Sequence, residues 1–286
     1  MNNPYHKFVV EYVHLLNKAK DFPLGDFPYT PQKAKKKDAQ TVLLFSPHPD
    51  DECITGILPL RLLRERKMNI INVAVTLGSR KECQKERWNE LCNACKFLGF
   101  GLIRTAERGL ERINLESRKK DPEYWATAVS VISRILEKYA PHIIFLPHEN
   151  DWHSSHIGTH FLVMDALKKS KSAFSCWVCE TEYWAPIADP NLMIEASIAD
   201  LADLVTAISF HVGEVRRNPY HLGLPAWMQD NVRRGTEIIG DKGAAAGKLT
   251  FATLYRLRKW AHRKFAHTAP VSRQISCKEP LERLLG

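Results

Sequence analysis

From residue 41 onward, short β-rich apolar runs alternate with amphipathic helical stretches, and few folds accommodate that rhythm. The runs "TVLLFS" (41–46), "NIINVAVT" (69–76), a short one near Leu102 and "HIIFLP" (142–147) read as strands. Between and after them the apolar spacing predicts helices to about Lys67, from Lys81 to Leu98, from Pro122 to Tyr139 and from Ser155 to Ser170. Strand–helix alternation of this kind predicts an α/β chain with a parallel sheet and helices on both faces. Farther on come a strand-like "AFSCWVCETEYW", a helix around 197–206, and a region with Gly235, Gly240, Gly243 and Gly247 that shows no repeat. Residues 1–40 read as an N-terminal extension: a helix near 6–20 with Phe8, Val9, Tyr12, Val13 and Leu16 on one face, then a Pro-rich linker. That helix is expected to pack on the body formed by residues 41–286.

The chain has 286 residues, 44% of them hydrophobic, enough for a full core. No apolar stretch approaches the roughly 20 residues that span a bilayer, and the start has no secretory pattern. The expectation is a cytoplasmic protein without a membrane span. Seven cysteines in a chain of this length point to reduced thiols, and the pairs Cys92/Cys95 and Cys176/Cys179 fall in helical and strand-like patterns rather than in zinc knuckles. The formal charge of +9 is diffuse, with "KAKKK" at 33–37 and "RLRKWAHRK" near the end as its densest clusters. No zinc-finger spacing or aromatic RNA-binding signature accompanies it, which argues against a nucleic-acid partner.

Chemistry concentrates at two places. "SPHPDDE" (46–52) follows the first strand, and "PHENDWHSSHIGTH" (147–160) follows "HIIFL". Ligands of parallel α/β sheets bind outside the carboxyl ends of the strands, so the two loops should converge on one site. Crowded carboxylates raise one another's pKa unless a cation or a proton sits among them. A hydrolytic zinc takes three ligands from His, Asp and Glu, and a neighbouring carboxylate can take a proton from its water. Adjacent Asp50 and Asp51 can divide those two tasks. Four histidines, at 148, 153, 156 and 160, face that cluster, with Ser154 or Ser155 as the expected N-cap of the following helix. No strand-linked glycine fingerprint accompanies them, which argues against a nicotinamide cofactor.

These motifs resemble the LmbE-like, or PIG-L, metal-dependent N-deacetylases. The first signature of that family is similar to His48-Pro49-Asp50-Asp51-Glu52, and the second to His153-Ser154-Ser155-His156 with His160. Thr76, Gly78, Arg87, Glu90, Leu98 and Gly99 resemble its intervening segment, "AERGL" (106–110) a further loop, and "RRGTEIIG" (233–240) its tail. The resemblance implies a Rossmann-like three-layer sandwich with a mostly parallel sheet. It also implies zinc, or another divalent metal such as Fe2+, bound by His48, Asp51 and His156. Asp50 would be the general base, His153 the oxyanion stabiliser, Arg87 a substrate-binding residue, and Glu107 a partner of sugar hydroxyls. The implied reaction removes acetyl from an N-acetylglucosamine-type or related amino-sugar conjugate.

Two departures stand out. Ser154-Ser155 replaces Pro-Asp in the second motif, removing a carboxylate that could orient His153, and Glu107 stands where many members carry Asp. Trp152, Trp177, Tyr183 and Trp184 read as core in preference to a sugar-stacking wall. Asp165 reads as solvated, and His211 is left without a role. Rival readings are a zinc amidase acting on another N-acyl or thiol-sugar conjugate, and a non-catalytic protein binding anionic ligands or nucleic acid.

Overall fold

The computed structural model describes residues 3–29, 38–240, 249–266 and 272–284. The basic cluster 33–37, together with Gly243 and Gly247, lies outside the described residues. Elements run in the order α1 (Pro4–Ala19), β1 (Thr41–Ser46), α2 (Asp51–Ile54), α3 (Ile57–Arg66), β2 (Asn69–Ala74), α4 (Gln84–Leu98) and β3 (Gly101–Arg104). There follow α5 (Leu115–Lys120), α6 (Pro122–Tyr139), β4 (Ile143–Pro147), α7 (Ser154–Lys169), β5 (Ser175–Thr181) and β6 (Leu192–Glu195). The last are α8 (Ile198–Ser209), α9 (Val212–Arg217), α10 (Leu224–Ile239), β7 (Ala252–Ala261), β8 (Lys264–Phe265) and β9 (Arg273–Ile275).

These strands form one sheet in the order β3-β2-β1-β4-β5-β7-β6-β9, with β8 paired to β7. Strands β3 to β5 are mutually parallel, whereas β7 runs antiparallel between β5 and β6. Side chains alternate across a strand, so each buried strand feeds two cores. Val42, Leu44, Ile70 and Phe145 meet α3, α4 and α8 on one face. Leu43, Phe45, Val73 and Ile144 meet α6 and α7 on the other. The result is a central, mostly parallel sheet flanked by helices, as the alternation predicts. Strand order reverses between the parallel neighbours β1 and β4, and both polar loops leave the sheet at that switch point, where α/β sheets bind ligands.

Three expectations fail. The apolar residues of α1 do not pack on the body: none of its residues is buried, and Phe8 and Tyr5 are 66% and 76% exposed. An amphipathic face shows where burial is possible, not what supplies it. Asp165 is not solvated but accepts from Arg118 Nε at 2.9 Å and Trp125 Nε1 at 3.0 Å, fastening α5 and α6 to α7. The N-cap of α7 is neither serine; His153 occupies that position, its Nδ1 accepting the Ser155 N–H at 3.3 Å.

Beside the site, β5 and β7 carry a buried charge cluster. Glu180, fully buried, accepts from Arg256 Nε at 2.6 Å and from Arg258 at 2.8 Å. Removing one partner of a buried pair strands the other charge. Glu180→Ala is therefore expected to cost about 3–5 kcal/mol of folding stability, measured by urea unfolding. A loss within about 0.5 kcal/mol, the usual range for an unremarkable surface change, would mean that solvent screens the arginines.

Candidate metal and active site

The β1–α2 loop is clamped before it reaches the cavity. Ser46 donates to Asn72 Oδ1 at 2.6 Å, and Thr76 Oγ1 donates to the Pro47 carbonyl at 2.7 Å. Asp50 then takes φ +110°, a conformation L-residues rarely hold, with its N–H donated to Glu52 at 2.9 Å. Strain of this kind persists only where the surroundings over-determine it, and it aims the Asp50 side chain into the cavity. Glu52 is fixed in turn by His211 at 2.7 Å. Burial alone would raise the Glu52 carboxyl, but His211 holds it below its ordinary range, and Glu52 in turn raises His211 against its own burial. His211 thus braces the loop from beneath.

From the other loop, α7 brings His156 to the same point. His48 Nδ1, Asp51 Oδ2 and His156 Nε2 form a near-equilateral triangle: 3.4 Å from His48 to Asp51, 3.4 Å from His156 to Asp51, and 3.3 Å from His156 to His48. Ligands about 2.0–2.1 Å from a tetrahedral zinc lie about 3.3–3.4 Å from one another. The donor set therefore fits zinc, or another divalent ion of similar size. Burial lowers His48 to about 4 and His156 to about 2, so both rings are neutral near pH 7, the form that ligates metal. Burial also raises Asp51 well above the carboxylate range, and burial with Asp51 beside it pushes Asp50 up to about 7. Such a pair favours a cation among them.

Asp50 stands beside this triangle. Its Oδ2 accepts from the Tyr220 hydroxyl at 2.8 Å and lies 4.0 Å from Arg87. Burial and the Asp50 charge keep that hydroxyl protonated. Arg87 also donates to the Pro49 carbonyl at 3.0 Å and pairs with Glu214 at 3.5 Å. Gly78 makes room for it: a Cβ there would lie 2.2 Å from Arg87 Nη1, at φ +84°. Gly78→Ala is expected to displace this guanidinium and to strain the backbone by roughly 1–3 kcal/mol. Thermal unfolding checks the strain; an unchanged melting temperature would show that the turn relaxes freely.

His153 completes the group, its ring 4.9 Å from that of His48 and 5.1 Å from that of His156. Because Nδ1 accepts the Ser155 N–H, the proton of the neutral ring sits on Nε2. Burial and then His48 lower its pKa, which favours that neutral form. The structure also puts the His48, His153 and His156 ligand atoms within 4.8 Å of one another. All of these line a cavity of about 980 Å3, whose walls include Tyr183, Trp184, Asn114 and Trp227.

Of the residues singled out in the sequence, His48, Asp50, Asp51, Arg87, His153 and His156 come together. Glu107 does not: it is exposed, outside the cavity wall, and Glu111 and Arg112 of the same loop line the wall instead. His148 and His160 turn away, bonding the Ala185 and Pro147 carbonyls at 2.9 Å each. Trp177 packs against the core as expected; Tyr183 is buried but lines the cavity, and Trp184 and Trp152 are 59% and 77% exposed, so for these last two the core expectation is wrong. Tyr220, Glu214 and Trp227 carried no sequence signal. Asp151 had one that went unread, its place two residues before His153.

A mostly parallel α/β sheet carries a His/Asp triangle at its switch point, with donor spacings that fit a divalent metal ion. Residues 43–167 match the family described as PIG-L: GlcNAc-PI de-N-acetylase. No curated protein matches the chain. Among solved structures it is similar to the N,N'-diacetylchitobiose deacetylase of Pyrococcus horikoshii, with 18% identity, TM-score 0.51, and coverage of 87% of this chain and 92% of that one. It is also similar to the zinc-inhibited form of the teicoplanin deacetylase Orf2, with 12% identity, TM-score 0.54, and coverage of 80% and 100%. A third is GalB, the 4-carboxy-2-hydroxymuconate hydratase of Pseudomonas putida KT2440, with 13% identity, TM-score 0.54, and coverage of 76% and 95%. At such identities the likeness carries the fold, and the hydratase shows that this fold hosts more than one reaction. Among the described residues, no helix is long and apolar enough to cross a membrane.

Proposed function

We propose that this chain is a metal-dependent N-deacetylase that removes acetyl from an N-acetylglucosamine-type or related amino-sugar conjugate. One observation carries the reading: three donor atoms at zinc-ligand spacing, with an unligated carboxylate, Asp50, beside them. His48, Asp51 and His156 would hold the ion, zinc or ferrous iron. Such an ion supplies Lewis-acid chemistry, lowering the pKa of water and polarising an amide carbonyl.

The chain's own groups perform the rest. Asp50 takes the proton of the attacking water at its carboxylate, oriented through Oδ2 by Tyr220. The N–H at His153 Nε2 donates to the oxygen that becomes negative as the carbonyl carbon turns tetrahedral. Arg87, held by Pro49 and Glu214, keeps positive charge next to Asp50 and binds substrate oxygens. The exposed face of Trp184 offers an apolar surface to a sugar ring.

The cavity, about 980 Å3, exceeds the volume of one acetylated sugar several-fold, which favours a conjugate. The test is a panel of N-acetylglucosamine conjugates together with analogues bearing longer acyl groups, with free acid quantified. Acetate release that falls as the acyl chain grows supports the deacetylase. Preferential release of larger acids would replace it with a broader amidase.

A further inference from the structure

The second motif lacks the carboxylate that Pro-Asp would bring, yet the site contains one. Asp151, with a fully buried side chain, lies 3.6 Å through Oδ1 from His156 Nδ1. The same oxygen accepts the His153 N–H at 2.8 Å. Its Oδ2 accepts the backbone N–H of Trp184 at 3.1 Å and that of Ala185 at 3.5 Å. His156 Nδ1 is buried and has no hydrogen-bond partner. His156 Nε2 points at His48 and Asp51, so it must be free of its proton to ligate a metal, which leaves the proton on Nδ1, facing Asp151.

We infer that Asp151 is the positioning residue of this site: its carboxylate accepts a hydrogen bond from the Nδ1–H of His156 once metal binds, a contact with the ligand ring that is distinct from the His153-orienting one that Ser154-Ser155 lacks. A modest closure of the 3.6 Å gap makes the carboxylate–histidine–metal arrangement in which the outer carboxylate fixes ring orientation and tautomer. Because the same side chain also holds the His153 backbone and the segment bearing Trp184, one residue couples a metal ligand, an oxyanion donor and a cavity wall. The backbone N–H of Ser155 sets the His153 tautomer.

The inference rests on the metal-site reading above, and the test separates the two. Zinc affinity is measured by competition with a chromogenic chelator for the wild-type chain and for Asp151→Asn, alongside thermal unfolding of both metal-free proteins. The expected result is a roughly 10–100-fold weaker zinc affinity in a folded Asp151→Asn protein. Wild-type affinity in that variant overturns the role of Asp151 alone, whereas absence of zinc binding by the wild-type chain overturns the metal site itself. Should the variant fail to fold, 15N-histidine NMR of the zinc-loaded wild type decides. A slowly exchanging proton on His156 Nδ1 supports the inference, and an Nδ1 without a proton refutes it.

Discussion

Asp50→Asn is expected to reduce turnover by about 10²–10⁴-fold, the usual contribution of a general base, while zinc affinity stays within a few-fold of wild type. The carboxamide oxygen can still accept from Tyr220, and Asp50 is not a corner of the donor triangle, so the ion keeps all three ligands. What is lost is the ability to hold a proton at that atom. Steady-state rates with metal content measured on the same samples check this. Full turnover by the folded variant would move the base elsewhere, with Glu214, which also lines the cavity, the next carboxylate to examine.

His156→Ala is expected to abolish both metal binding and activity. It removes one of three ligands, so the affinity loss should exceed the roughly 10–100-fold that outer partners cost. The ring is also packed edge-on against Tyr183 at 4.8 Å, and its removal leaves a gap in the cavity floor. The contrast between the two variants is the informative part: one loses the reaction and keeps the ion, the other loses both. Metal retained at wild-type affinity in His156→Ala would leave His48, Asp51 and His153 as the ligands, a set the His48–His153–His156 grouping makes geometrically accessible.

Much of the scaffold was legible because its signals are local. The apolar run of β1, the 3.6-residue period of α6 and the polar loops at the ends of β1 and β4 each lie within one short window, and the switch point follows from their order. What failed depends on distant partners. Tyr220 meets Asp50 from 170 residues away, and β7 inserts antiparallel between β5 and β6, pairings that no local periodicity encodes. The face of α1 was read correctly as amphipathic and wrongly as packed, since periodicity says nothing about what lies opposite. His153 shows the subtler error. Serine is the commoner N-cap, but here an imidazole nitrogen does that work and, in doing it, sets the tautomer that the oxyanion role requires. Asp151 lies two residues before the second motif, and only the fold shows that its carboxylate faces His156.

The most direct test of the metal-dependent deacetylase is to strip the chain with chelator, restore zinc or ferrous iron in steps, and follow acetate release from an N-acetylglucosamine conjugate against bound metal. The account predicts no release from the stripped protein and a rise that saturates at one equivalent per chain. Release that is unchanged by stripping, or no release of any acid from a fully loaded chain, would contradict it.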